Sequence, residues 1–319
     1  MKRRLLSVIT AAILAATVLT GCSEKKKDVY NIGVCQLVEH PALDAATNGF
    51  MDALKAKLGE DKVSFDVQNA QGEQATSATI CNGFVADNVD LILANATTPL
   101  QTAAAATSSI PILGTSVTDY ASALQIGSWN GSTGRNISGT SDLAPIDQQE
   151  KMIKELFPDV KKVGLLYCTA ESNSAYQIDM IIKSLEADGI AYVKYGIADS
   201  NEIQSVVTNA ASECDVLYIP TDNTLADATE TIYNIVVPAK VPVIAGEEGI
   251  CKGCGVATLS ISYYDLGYTT GEMAYEILVN GKDISSYEVK YAPNTTKEYN
   301  KSICEKLGIT VPSDYTAIE

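Results

Sequence analysis

The sequence predicts an α/β protein of two doubly wound parallel-sheet lobes joined by a multi-crossing hinge. Three observations carry this expectation. Apolar strand-like runs alternate with helically spaced segments, the alternation runs through twice, and extra elements are left over after the second series. Strands alternating with helices form parallel sheets covered on both faces. The chain has 319 residues, 46% of them hydrophobic, enough for two cores of ordinary domain size.

The first series opens with a strand over 30–37 and a helix over 41–58, where Leu43, Ala46, Phe50, Ala53, Leu54 and Leu58 recur at helical spacing. A strand at 62–68, a helix at 73–86, a buried strand at 90–94, a helix at 99–107 and a strand at 110–114 follow. The segment 136–142 reads as an extended exit from the first lobe. The second series runs helix 147–157, strand 162–167, helix 175–188, strand 191–195, helix 202–212, strand 215–220, helix 225–237 and strand 241–245. Then come a strand at 258–262 and a long helix at 265–279, stopped by Asn280-Gly281-Lys282 with Gly at the C-cap. A strand at 287–291 and a helix at 296–307 complete the chain. Elements left over after two lobes imply several crossings, which make a hinge. We expect residues 29–140 plus 264–284 in lobe 1, and 141–263 plus 285–319 in lobe 2.

Lys2, Arg3 and Arg4 precede an apolar segment from Leu5 to Leu19, which ends in Leu19-Thr20-Gly21-Cys22. A basic start, a short apolar run and small residues at the cut mark an export signal over 1–21. The run is shorter than the ~20 residues that span a bilayer. The pattern resembles the lipobox of bacterial lipoproteins, which implies that Cys22 is diacylated and becomes the mature N-terminus. Residues 22–28 would then be a polar lipidated tether, holding a folded body outside the cell on the membrane.

Net charge is −16. An acidic surface argues against nucleic acid, whose phosphates need Lys and Arg, and against lying flat on anionic lipid. Cys35, Cys168 and Cys214 lie in or beside apolar runs and read as small buried hydrophobes. Cys251-Lys252-Gly253-Cys254 is placed in a Gly-rich turn, where a local disulfide or two free thiols is expected. A single CxxC does not make a zinc site without a second pair, and His40, the one histidine, is far away in sequence. No nucleophile elbow, phosphate loop or dinucleotide fingerprint is evident, so no enzyme activity and no cofactor is expected.

In open α/β sheets ligands bind beyond the carboxyl ends of the strands. In lobe 1 those ends carry Gln36 and His40, then Thr97 and Thr98, then Ser116, Thr118 and Asp119. In lobe 2 they carry Glu171, Ser172 and Ser174, then Asp222 and Asn223, then Glu247. Hydroxyls and helix N-terminal N–H groups of lobe 1 suit a carboxylate. The carboxylates of lobe 2 suit an ammonium, so an α-amino acid zwitterion would satisfy both. Asp222 is assigned to the ammonium, with Glu247 as the alternative. Thr97, Thr98, Ser116 and Thr118 are assigned to the ligand carboxylate. Ser, Thr, Asp and Asn at these places also serve as helix N-caps. His40, just before Pro41, could orient its loop or touch the ligand. Trp129 is expected to pack near the hinge, while Tyr120, Tyr176, Tyr263 and Tyr264 are candidates for aromatic contact.

The chain resembles the ABC-transporter substrate-binding proteins of the tryptophan/tyrosine type. The resemblance rests on the run from Ile32 to Asp44 with Gly49-Phe50, on Asn69-Ala70-Gln71-Gly72, and on Ala94-Asn95-Ala96-Thr97-Thr98-Pro99. Gly114-Thr115-Ser116-Val117-Thr118-Asp119, Gly139-Thr140-Ser141-Asp142 and Ile219-Pro220-Thr221-Asp222-Asn223 extend it over the whole mature chain. It implies a type I periplasmic-binding fold, a monomer, an ABC importer permease as partner and an aromatic amino acid as ligand. The alternatives are a sugar or nucleoside, or a sensor domain serving a signalling partner.

Overall fold

The computed structural model describes residues 28–292 and 294–318. The leader, Cys22 and the tether up to residue 27 lie outside the described residues. Lobe 1 is built from β1 (Tyr30–Gln36), α1 (Pro41–Leu58), β2 (Val63–Asn69), α2 (Gln74–Ala86), β3 (Leu91–Asn95), α3 (Thr97–Ala106), β4 (Ile112–Val117), α4 (Tyr120–Ala123) and β5 (Ile137–Ser141). Lobe 2 follows with α5 (Ile146–Leu156), β6 (Lys162–Cys168), α6 (Ser172–Ala187), β7 (Ala191–Ile197), α7 (Ile203–Glu213) and β8 (Val216–Ile219). It continues with α8 (Asn223–Asp227), α9 (Thr229–Ala239), β9 (Val243–Ala245), α10 (Glu248–Cys254) and β10 (Ala257–Ser260). Then come α11 (Tyr263–Leu278), β11 (Lys290–Tyr291), β12 (Thr296–Tyr299), α12 (Lys301–Leu307) and β13 (Thr316–Ala317).

Two sheets result, ordered β11-β5-β4-β3-β1-β2 and β13-β12-β10-β9-β8-β6-β7. Every pair of the first sheet is parallel. Its central strands β3 and β4 are buried along their whole lengths, as strands with helices on both faces must be. In the second sheet β12 runs antiparallel to β10. This is the two-lobed type I periplasmic-binding architecture expected from the sequence.

The chain passes from one sheet to the other three times: after Ser141, after Ser260, and between Tyr291 and Thr296. After the second crossing, α11 returns to pack on α1 at backbone distance. A Cβ on Gly267 would stand 1.9 Å from the Ala46 carbonyl oxygen, and one on Gly49 would stand 2.1 Å from that of Tyr264. Only glycine permits this approach.

Several expectations are corrected. The third crossing falls after Tyr291 and not at residue 284, because β11 pairs with β5 and the Ser138 hydroxyl donates to the Tyr287 carbonyl at 2.8 Å. The expected helix at 296–307 begins as strand β12, and helix starts only at Lys301, where the Asn300 side chain caps the Ile303 N–H. The strand at 287–291 shrinks to Lys290–Tyr291. Cys251 and Cys254 sit in helix α10, not in a turn, and both are buried free thiols. Trp129 stacks on Tyr120 at 6.5 Å within the lobe 1 core.

Candidate functional site

Between the lobes, the strand ends close around a narrow space. His40, Leu43, Ser116, Thr118 and Asp142 face it from lobe 1 and the first crossing. Asn173, Thr221, Asp222, Asn223 and Glu247 face it from lobe 2, and Tyr263 closes it at the second crossing. No lysine or arginine is among its lining residues.

On the lobe 1 side two hydroxyls stand unpaired. Thr97 opens α3, whose N-cap is Ala96 with φ +97° and no capping side chain. The first N–H groups of α3 therefore lack a side-chain acceptor, and the Thr97 Oγ1 beside them is buried without a partner. Ser116 lies where the β4–β5 register breaks, with φ +54°. Its Oγ is also buried without a partner. A bulge of this kind re-aims a side chain.

His40 joins the lobes. The Asn223 Nδ2 donates to Glu171 at 2.6 Å, which leaves Asn223 Oδ1 to accept from His40 Nε2 at 3.2 Å. Burial pushes the His40 pKa down, against smaller opposing effects from Asn223 and Glu171. The ring is thus neutral with its proton on Nε2, so Nδ1 is an acceptor, buried and without a partner.

The carboxylates divide by what they bind. Asp222 caps α8, accepting from the Leu225 N–H at 3.0 Å and from the Cys168 N–H at 2.6 Å. Glu247 caps α10, accepting from the Gly249 and Ile250 N–H groups. Glu171 gathers the N–H and side-chain donors of Asn223 and Thr224. Asp142 accepts from the Thr118 hydroxyl and the Tyr263 phenol, each at 3.0 Å. Burial pushes Asp142 up to about 6 and Glu247 up to about 7. Burial, and then the charge of Glu171, push Asp222 up to about 8. A buried acidic set without a lysine or arginine suits a cation-bearing ligand.

Of the residues singled out in the sequence, His40, Ser116, Thr118, Asp222, Asn223 and Glu247 line the enclosed space. Thr98 and Glu171 instead face a wider groove beside it, shared with Asn223. Gln36 turns back into lobe 1, donating to Asp44 at 2.6 Å and accepting from Thr47 at 2.7 Å. Asp119 caps α4 through the Ser122 N–H at 2.7 Å. Ser172 is exposed and Ser174 is buried against the Thr221 carbonyl. Thr118 commits its hydroxyl hydrogen to Asp142, so it cannot also donate that hydrogen to a ligand carboxylate. Asp142, Asn173 and Thr221 were not singled out as site residues. Asp142 follows β5 directly, so the rule that ligands sit beyond strand ends, carried one strand further, would have found it.

The family described as ABC transporter substrate binding protein matches residues 31–317. The tyrosine-binding protein of Clostridioides difficile (strain R20291) is 37% identical over 96% of this chain and 92% of its own length. An ABC domain from Streptococcus pneumonia, solved in complex with L-Trp, is 31% identical with a TM-score of 0.87, over 91% of this chain and 100% of that one. A ligand-free, open substrate-binding protein with adhesive properties from Clostridium difficile is 38% identical but has a TM-score of 0.70, over 91% and 99%. The chain belongs to the ABC transporter substrate-binding protein family, and is a binding protein, not an enzyme.

Proposed function

We propose that this protein closes its lobes on an aromatic amino acid (tyrosine, tryptophan or phenylalanine) and delivers it to an ABC importer permease. The observation that carries the reading is the polarity of the enclosed space. One wall offers the unpaired Ser116 hydroxyl, and lobe 1 also holds an uncapped helix start with the unpaired Thr97 hydroxyl, both suited to a carboxylate. The other elements bring Asp142, Asp222 and Glu247 without a lysine or arginine, suited to an ammonium. His40 Nδ1 is a further acceptor for the ligand. The tyrosine-binding relative and the L-Trp complex support the aromatic choice. The lipobox supports attachment through Cys22, with the body outside the cytoplasm.

A thermal-shift screen over amino acids, sugars and nucleosides tests this, since a saturating ligand raises apparent stability by mass action. Stabilisation by aromatic amino acids is expected. Stabilisation by ribose or adenosine, with no effect of amino acids, would overturn the reading.

A further inference from the structure

The carboxylates around the enclosed space are not equivalent. Asp222 and Glu247 each accept two backbone N–H groups, and each caps the start of a short helix. Glu171 likewise receives the N–H groups that open α8. Their oxygens are engaged by backbone donors that hold lobe 2 together whether or not a ligand is bound.

Asp142 is different. It is 3% exposed and lines the same space. Its partners among the other described residues are two neutral hydroxyls, one on each carboxylate oxygen. A carboxylate has about four lone-pair sites, so each oxygen keeps acceptor capacity. Among the described residues that line the space, no lysine or arginine compensates its charge.

Its position adds a second argument. Asp142 is the first residue after β5, on the first crossing, and Tyr263 opens α11 just after the second. The hydrogen bond between them therefore ties two crossings together at the floor of the cleft. A cation seated on Asp142 would act on the hinge as well as on the ligand wall.

We propose that Asp142 binds the α-ammonium of the ligand, and that Thr118 and Tyr263 are positioning residues that hold its carboxylate toward the cleft. This rests on the reading of the ligand as an amino acid. It replaces Asp222 in that role and leaves Asp222 as the cap of α8. It also makes Asp142 the residue that separates an amino acid from the same ring acid without its amine.

The test is calorimetric titration of the purified protein with L-tyrosine or L-tryptophan, whichever binds, and with the matching desamino acid. Wild type, Asp142→Asn, Tyr263→Phe, the double variant and Asp222→Asn are compared, with thermal melts as a check of folding. A charge-assisted hydrogen bond predicts that Asp142→Asn weakens the amino acid about tenfold to a hundredfold. The desamino acid should bind it as well as it binds wild type, or better. Tyr263→Phe should weaken the amino acid several-fold, and this effect should vanish in the Asp142→Asn background, which a merely structural tyrosine would not show. Should Asp142→Asn fail to fold, Tyr263→Phe still decides: selective weakening of the amino acid supports the assignment, and equal weakening of both ligands overturns it. Unchanged amino-acid affinity of Asp142→Asn, or a selective loss in Asp222→Asn alone, overturns it as well. A wild type that binds no amino acid at all sinks the amino-acid reading itself, a result distinct from these.

Discussion

Ligand affinity should rise with pH over a window set by the carboxylate that meets the ammonium. Burial pushes Asp142 from the ordinary 3.8 up to about 6, against the pull of the Thr118 and Tyr263 hydroxyls. An ammonium binds the carboxylate and not the acid, so ligand uptake at low pH must release a proton. One pH unit below its pKa about one such group in ten is ionised, so affinity should climb about tenfold from about pH 5 to about pH 7 and then level. Were Asp222 the partner instead, pushed up to about 8, the climb would continue past that plateau. Stability of the empty protein should run the other way for this set. A carboxyl group with a raised folded pKa contributes stability that is fully present below its unfolded value and lost as pH rises through the folded one. Asp142, Asp222 and Glu247 all act in that direction, as do Glu150 and Glu298, each pushed up to about 7 mainly by burial. For Asp142 the loss is about 3 kcal/mol, at 1.36 kcal/mol per tenfold. Titrations between about pH 5 and 8, in buffers of different ionisation enthalpy, give both the affinity and the number of protons released. Affinity independent of pH, with no proton released, would refute the reasoning.

Gly267→Ala should drive a Cβ against the Ala46 carbonyl oxygen, now 1.9 Å from that position, and force α11 off α1. Overpacking of this kind costs about 1–3 kcal/mol, visible by calorimetry as a melting temperature lower by several degrees. An unchanged melt would mean the helix pair is looser than described. Ser116→Ala and Thr97→Val should each weaken an amino acid about tenfold or more, the worth of one hydrogen bond to a charged carboxylate. Equilibrium titration checks this, and wild-type affinity in both would move the carboxylate seat elsewhere. Cys22→Ala should shift the protein from the membrane fraction to the soluble fraction on cell fractionation, and retention at the membrane would disprove the lipid anchor.

The parallel lobes were legible because their central strands read as apolar runs, such as Leu91-Ile92-Leu93-Ala94 at the start of β3, set between helically spaced segments. The C-terminal stretch was not. Thr296–Tyr299 has no apolar run to mark it, and it becomes a strand because β10 offers an edge far earlier in the chain, with Leu259 opposite Lys297. The site was half legible. Position after a strand brought His40, Ser116 and Asp222 to the cleft, yet it could not tell which way Gln36 would turn. Gln36 ends β1 beside α1, where Asp44 and Thr47 take its amide. Nor could sequence separate a carboxylate that caps a helix from one that waits for a ligand. Asp222 and Glu247 each precede a helix and so fit both descriptions, whereas Asp142 is told apart only by partners, Thr118 and Tyr263, that are 24 and 121 residues away.

Isothermal titration of the wild-type protein near neutral pH with L-tyrosine, L-tryptophan and L-phenylalanine bears most directly on the central claim. One saturable site per chain for at least one of them, with the matching desamino acid bound more weakly, is the predicted result. No heat from any of the three, together with saturable binding of a sugar or nucleoside, would contradict it.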